Sequence, residues 1–328
     1  MKKLLATILI ICLCIAASGC NVQTDQPRDP TKLQIVCSNF PAYDFAREIA
    51  GDRAQIMLLL KPGAEVHSYE PSPKDIAAIE ESDLFIYNGG ESEAWVESLI
   101  DGDIKAVRMM DCVEALEESN EGIYAADNDV HGDAHGHEHD EHDGHDEHDE
   151  HEEELDEHIW TSPLNAAKIC RAICDELCTI DPDGTNEYIL NFEVYNAELM
   201  ELDIEIRTTV LNAERKTLVF ADRFPMRYFT MEYGLDYFAA YPGCASQTEP
   251  SAKTVAFLID HVREEGIPAV LYMEFSNEKM ADVICEDTGC KKLPFYSAHS
   301  VTAQQFEDSV TYLDLMRMNI ETLKEALY

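Results

Sequence analysis

The sequence predicts an α/β protein of two lobes, each a small parallel β-sheet flanked by helices, joined by one long helix. Three observations carry that expectation. Short β-branched runs alternate with helical stretches from residue 32 onward, an acidic tract interrupts them, and the alternation resumes after residue 215. Between the two alternating regions lies a helical stretch of nearly 30 residues. Strand–helix alternation makes neighbouring strands parallel, because each crossover helix carries the chain back to the end of the sheet from which it left.

The elements follow in order. Residues 1–19 read as a signal peptide: Lys2 and Lys3 open it, an apolar run covers 4–17, and small residues lead to Cys20. The ending Ala17-Ser18-Gly19-Cys20 resembles a bacterial lipobox, which implies cleavage before Cys20 and a lipid on its sulfur. Residues 20–31 form a lipidated, flexible tether. An N-terminal α/β lobe is expected over 32–183, with strands at 33–37, 55–60, 84–87 and 104–108 and helices at 42–50, 73–80 and 93–99. A further helix at 165–178 carries Cys170, Cys174 and Cys178 on one face, which read as small buried apolar residues rather than as bridging partners. Asp181-Pro182-Asp183-Gly184 punctuates the chain before a linking helix at 184–214. In that helix Leu190, Val194, Ala197, Met200, Ile204 and Leu211 keep helical spacing. At 1.5 Å per residue it spans about 40 Å. A C-terminal α/β lobe fills 215–328, with strands at 217–221, 235–240, 269–274 and 291–296. In this lobe Cys285 and Cys290 are near enough in sequence to pair across a turn.

The formal net charge is −41, and residues 114–157 hold 20 of the 65 acidic side chains with no Lys or Arg among them. Such a surface repels nucleic acid and anionic lipid headgroups and draws cations. Attachment to a membrane therefore falls to the lipid, and no second apolar stretch is long enough to cross a bilayer.

The 12 histidines divide unevenly. Eight lie in one tract, His131, His135, His137, His139, His142, His145, His148 and His151, interleaved with Asp, Glu and Gly. With nothing to bury, a loop over about 118–155 is expected to be disordered, and its imidazoles to bind zinc, copper or nickel loosely. Of the remaining four, His67 and His299 follow strands and His158 stands where the acidic tract ends. In open α/β sheets ligands sit beyond the carboxyl ends of the strands, so these three are expected to converge. Asp222 and Glu274 occupy equivalent positions after strands and are candidates to complete a tetrahedral site. His261 falls within a helical stretch and is read as structural.

At this point the chain resembles the zinc/manganese-binding lipoproteins of ABC importers, the cluster A-I substrate-binding proteins, over nearly its whole length. Pro62-Gly63-Ala64-Glu65-Val66-His67-Ser68-Tyr69-Glu70-Pro71 resembles the family's first-ligand loop, and Asp156-Glu157-His158-Ile159-Trp160 its second-ligand motif. The acidic His-rich loop before the second motif is characteristic of the zinc branch. The resemblance implies a rigid linking helix, a metal site in the cleft between lobes, and no enzymatic turnover. It also implies delivery of zinc, or less readily manganese, to a membrane permease driven by a separate ATPase, from an anchored position outside the cytoplasm. The C-terminal lobe departs from the pattern. Arg223 stands where the third ligand is expected, and arginine offers no lone pair to a cation. Asp222 is the substitute and His299 the final ligand, with Glu274 in reserve. Two rival readings remain open: a surface-anchored zinc-dependent hydrolase, and a metal-storing adhesin without transport. The chain lacks His-Glu-x-x-His and Gly-x-Ser-x-Gly motifs. A monomer is expected.

Overall fold

The computed structural model describes residues 28–64, 69–100, 104–119, 122, 155–242 and 251–328. The chain divides into two compact units, Met1–Lys32 and Leu33–Tyr328. In the first, Asp29 accepts the backbone N–H and the hydroxyl of Thr31 at 2.9 and 2.6 Å.

The second unit begins with β1 (Leu33–Cys37), α1 (Phe40–Ala50), β2 (Ala54–Leu58), α2 (Pro73–Glu80), β3 (Leu84–Tyr87) and β4 (Ala106–Arg108). The four strands are parallel in the order β2-β1-β3-β4. Local chemistry starts each helix. Asn39 caps α1 by accepting the Ala42 N–H, and Ser72 and Asp75 form a reciprocal capping box on α2. The stretch expected as a helix over 93–99 is a 3-10 helix, Glu91–Ser98, with Glu93 outside helical geometry at φ −115° and ψ 19°. Its cause is visible: the Glu93 carboxylate turns back to accept the Gly89 N–H at 2.9 Å.

Two helices follow, α3 (Pro163–Ile180) and α4 (Thr185–Asn212). On α3, Cys170 and Cys174 are buried with Ile169, Ile173 and Leu177, and Cys178 is partly buried. The 28 residues of α4 give a length of about 42 Å. The long helix is therefore as expected, but its orientation differs from the one the apolar spacing suggested. Tyr188, Tyr195, Leu199, Leu202, Ile206 and Val210 face the core, while Leu190, Val194, Ile204 and Leu211 are exposed. Both stripes satisfy helical periodicity, and the one carrying two tyrosines is the one that enters the core.

The chain then forms β5 (Thr217–Phe224), α5 (Arg227–Tyr233), β6 (Asp236–Pro242), α6 (Ala252–Glu264), β7 (Ala269–Met273), α7 (Lys279–Thr288), β8 (Lys291–Phe295), α8 (Ala303–Glu307) and α9 (Tyr312–Leu327). Its four strands are parallel in the order β6-β5-β7-β8, the same topology as the first sheet. In each sheet the first strand lies between the second and the third. That reversal opens a crevice at the carboxyl ends of β1 and β3, and another at those of β5 and β7.

One continuous apolar core joins both sheets to α1, α3, α4 and α9. Tyr312, at the start of α9, is wholly buried. Its N–H goes to Asp44 at 2.8 Å, its hydroxyl to the Trp160 carbonyl at 2.8 Å, and its ring stands edge-on to Phe45. Asn319, on the same helix, brackets the backbone beyond β8: it accepts the Tyr296 N–H at 2.7 Å and donates to the Tyr296 carbonyl at 2.8 Å. Replacing Asn319 with alanine strands both backbone groups. The expected loss is about 2–4 kcal/mol in urea denaturation, and an unchanged midpoint would refute the clamp.

Candidate metal centre

The acidic tract leaves and rejoins the fold at one point. Glu117 and Leu155 form an antiparallel bridge, and the Asp156 N–H donates to the Leu116 carbonyl at 2.8 Å. Tyr228 of α5 fastens this root, receiving the Leu116 N–H at 2.9 Å and donating to the Asp156 carbonyl at 2.8 Å. The next residue, Glu157, is buried against the turn after β3. Its carboxylate accepts the N–H of Ser92 at 2.8 Å and the Ser92 hydroxyl, and Asn88 donates to its carbonyl at 2.9 Å. This docking needs a glycine at position 90, where φ is 89° and a Cβ would come within 2.5 Å of Glu157 Oε1. Gly90→Ala is accordingly expected to displace the segment and weaken metal binding at least 10-fold by calorimetry; wild-type affinity would show that the segment has no positioning part.

His158 is thereby held at 2% exposure. Asp156 Oδ1 accepts its backbone N–H at 2.8 Å and lies 3.1 Å from its Nδ1. A carboxylate on one ring nitrogen fixes the tautomer and leaves the lone pair on Nε2, the usual second-sphere arrangement of a metal-binding imidazole. Burial alone would lower the His158 pKa. The charge and hydrogen bond of Asp156, aided by Glu157 and Glu118, outweigh it and raise the value above 6.5.

His299 comes from the other sheet, on the loop after β8. Its backbone N–H donates to the Ser297 hydroxyl at 3.2 Å, and the preceding Ala298 has φ 59°. Phe275 and Glu278, in the loop after β7, are also in the left-handed region. Non-glycine residues held there cost on the order of 1–2 kcal/mol each and gather where a site must aim its side chains. The His158 and His299 rings meet edge to face with centroids 5.6 Å apart. Two imidazoles on one tetrahedral ion at about 2.1 Å place their centroids about 5 Å apart. Trp160 packs against both rings, at 5.8 and 4.8 Å, and donates Nε1–H to the Ser297 carbonyl at 2.8 Å, tying the two segments together.

The two carboxylate candidates differ in their commitments. Asp222 is buried at a register shift in β5. Its oxygens already accept the Arg223 N–H at 2.8 Å, the Tyr241 hydroxyl at 3.2 Å and the Met273 N–H at 3.1 Å, so it fastens β5 to both neighbours. Glu274 follows β7 and accepts from Ser297, the N–H at 2.9 Å and the hydroxyl at 2.5 Å. Burial raises the Glu274 pKa, while the Ser297 hydrogen bonds and the charge of Arg223 oppose the rise. Asn39 Nδ2 and Asn88 Oδ1, beyond the ends of β1 and β3, are buried without partners among the described residues.

The structure thus brings His158 and His299 together and sets Glu274 beside the His299 loop through Ser297. His67, the eight tract histidines and Cys20 lie outside the described residues. The turn leading toward His67 approaches the second lobe: the Phe275 ring lies 4.0 Å from where a Gly63 Cβ would stand. Among the described residues, no three His, Cys, Asp or Glu side chains form a metal-sized group. His261, on α6, packs against Phe238 of β6 and Phe257 of α6, which border a separate small core. Sequence reading passed over Asp156, Trp160, Ser297 and Asn319 as functional positions. Only Asp156 left a signal, an acid two residues before a histidine.

Residues 35–326 match the model of the family described as zinc-uptake complex component A, periplasmic, ZnuA. The chain belongs to the ZnuA family. It is 30% identical to the high-affinity zinc uptake system protein ZnuA of Bacillus subtilis, across 98% of this chain and 96% of that protein. It is 27% identical to the manganese-binding lipoprotein MntA of Halalkalibacterium halodurans, across 100% and 99%. Its fold is that of the Zn(II)-bound ZnuA-like domain of Streptococcus pneumoniae AdcA, with a TM-score of 0.71 at 26% identity over 90% of this chain and 99% of that one. Members of this family are solute-binding components of importers and not enzymes.

Proposed function

We infer that the protein captures zinc outside the cytoplasm and hands it to the permease of an ABC importer, without chemical turnover. The observation that carries the reading is the convergence of His158 and His299 from opposite sheets, with Nδ1 of His158 held by Asp156. His67, from the loop after the Lys61-Pro62-Gly63 turn, supplies the third imidazole, and a carboxylate completes the shell. Glu274 suits that part better than Asp222, whose oxygens serve three sheet donors. Arg223, where a third family ligand is expected, faces the charge of Glu274 instead. An imidazole-rich shell favours zinc over manganese, which prefers oxygen donors.

The chain is organised as a leader of residues 1–19, a tether of 20–31 lipidated at Cys20, lobes over 32–183 and 215–328, and the linking helix of 184–214. It works as a membrane-anchored monomer with a separate permease and ATPase. A long connecting helix resists wide hinge closure, so capture depends on ordering of the loops that carry the ligands. The His-rich tract serves as an antenna. Its root, at the Glu117–Leu155 bridge, lies three residues from His158, so ions gathered on the tract are released near the cleft.

Deleting residues 127–153 tests this division of labour. Calorimetric titration should then show one tight zinc site and lose several weak ones. An unchanged stoichiometry would remove the antenna, and loss of the tight site would place that site in the tract.

A further inference from the structure

The turn between α7 and β8 holds two thiols that zinc capture does not use. The sulfurs of Cys285 and Cys290 lie 3.3 Å apart, in van der Waals contact. The backbone fixes this approach. Gly289, at φ 79°, ends α7 with its N–H on the Cys285 carbonyl at 2.8 Å. The Cys290 N–H donates to the Thr288 hydroxyl at 3.3 Å, and the Lys291 N–H donates to the Pro268 carbonyl at 3.0 Å. Both side chains are partly buried, against the small core that holds Ile267, Val270 and Ile284. Cys170, Cys174 and Cys178 sit one turn apart in succession within α3, where helical geometry works against bridging. Cys285 and Cys290 straddle a reversal of the chain and are free of that restraint.

We propose that Cys285 and Cys290 form an intrachain disulfide that fastens the start of β8 to the end of α7. The proposal draws on the location outside the cytoplasm, where disulfides persist. The oxidant is a small-molecule or protein disulfide. One cysteine thiolate attacks it, forming a mixed disulfide and expelling one thiolate. The second cysteine thiolate attacks the protein sulfur of that mixed disulfide and expels the other. The protein gives up two electrons and two protons, and the external disulfide becomes two thiols. The bond has a structural consequence. Among the described residues β8 is an edge strand paired with β7 alone, and it leads directly into Ser297 and His299. Fastening its first residues limits fraying of the strand from which the His299 loop departs.

The test uses the folded chain incubated with oxidised glutathione, denatured in N-ethylmaleimide, digested with trypsin and mapped by mass. Residues 280–291 contain no Lys or Arg before Lys291. They should appear as one peptide, unlabelled and lighter by two hydrogen atoms, and should take two labels after reduction. The peptide over 172–207, which carries Cys174 and Cys178, should take two labels under both conditions. Hydrogen exchange at Lys292 and Leu293 should be slower in the oxidised protein than in Cys285→Ser. Two labels on 280–291 after oxidation, a persistent glutathione adduct, or a cross-link to another cysteine would overturn the bond. Equal exchange rates would overturn its effect on β8. No metal is involved in these readouts, so they stand whatever the outcome for zinc.

Discussion

Replacing His158 with alanine is expected to reduce zinc affinity by at least about 100-fold while the chain remains folded, since one imidazole of the shell is lost. Asp156→Asn probes the same centre more gently. It keeps the size of the side chain but withdraws the charge that orients Nδ1–H, and a loss of about 10–100-fold is expected. Both variants are best measured after removal of residues 127–153, so that tract binding does not mask the difference. The pair of results separates two parts. If both variants bind as tightly as the parent, His158 is not a ligand. If Asp156→Asn alone does so, His158 binds without help from its carboxylate.

The second large effect concerns pH, and it acts in opposite directions on the metal-free stability and on the increment that zinc adds. Burial raises the pKa of Asp44 to about 7, against the pull of Arg47. Burial likewise raises Glu93 to about 7, in spite of hydrogen bonds that favour its ionised form. A carboxyl whose folded pKa exceeds its unfolded value contributes stability that is complete below the unfolded pKa and is lost as pH rises through the folded one. Metal-free protein should therefore lose stability between about pH 4 and 7, with self-repulsion of the acidic surface adding to the loss. Zinc requires neutral imidazole. Because the pKa of His158 is raised above 6.5, the binding-competent form gains population only as pH climbs through that range. At zinc concentrations 1,000-fold above Kd the stabilisation amounts to about 4 kcal/mol. Melting scans should show the metal-free Tm falling between about pH 4 and 7, and the increment from zinc growing between about pH 5.5 and 8. An increment independent of pH would argue against imidazole ligands.

Much of this was legible in the sequence, for identifiable reasons. Strands β1, β3 and β7 consist of compact apolar runs between turn residues, and parallel sheets buried on both faces produce that pattern. The length of α4 was equally plain, but the choice between its two apolar stripes was not. Leu190, Val194, Ile204 and Leu211 are as periodic as the tyrosine-bearing stripe that enters the core. Periodicity tells that a helix has a face; it cannot tell which of two faces meets the rest of the protein. At the candidate metal centre, His158 stood out where the acidic tract ends and His299 because it follows a strand. Their supports did not stand out. Trp160, Ser297 and Asn319 act through backbone groups distant in sequence, and no local pattern records such a partner. Asp222 illustrates the converse. Its place just after the expected strand 217–221 suited a ligand, yet β5 runs on to Phe224, and Asp222 sits within it at a register shift with its carboxylate on donors of the neighbouring strands.

The central claim is that one ion is held between the two sheets by His158 and His299. Anomalous diffraction at the zinc edge, from crystals of the protein lacking residues 127–153 grown with one equivalent of zinc, tests it most directly. A single anomalous peak is expected about 2.1 Å from Nε2 of both His158 and His299. A peak bound elsewhere on the molecule, with these two imidazoles left uncoordinated, would contradict it.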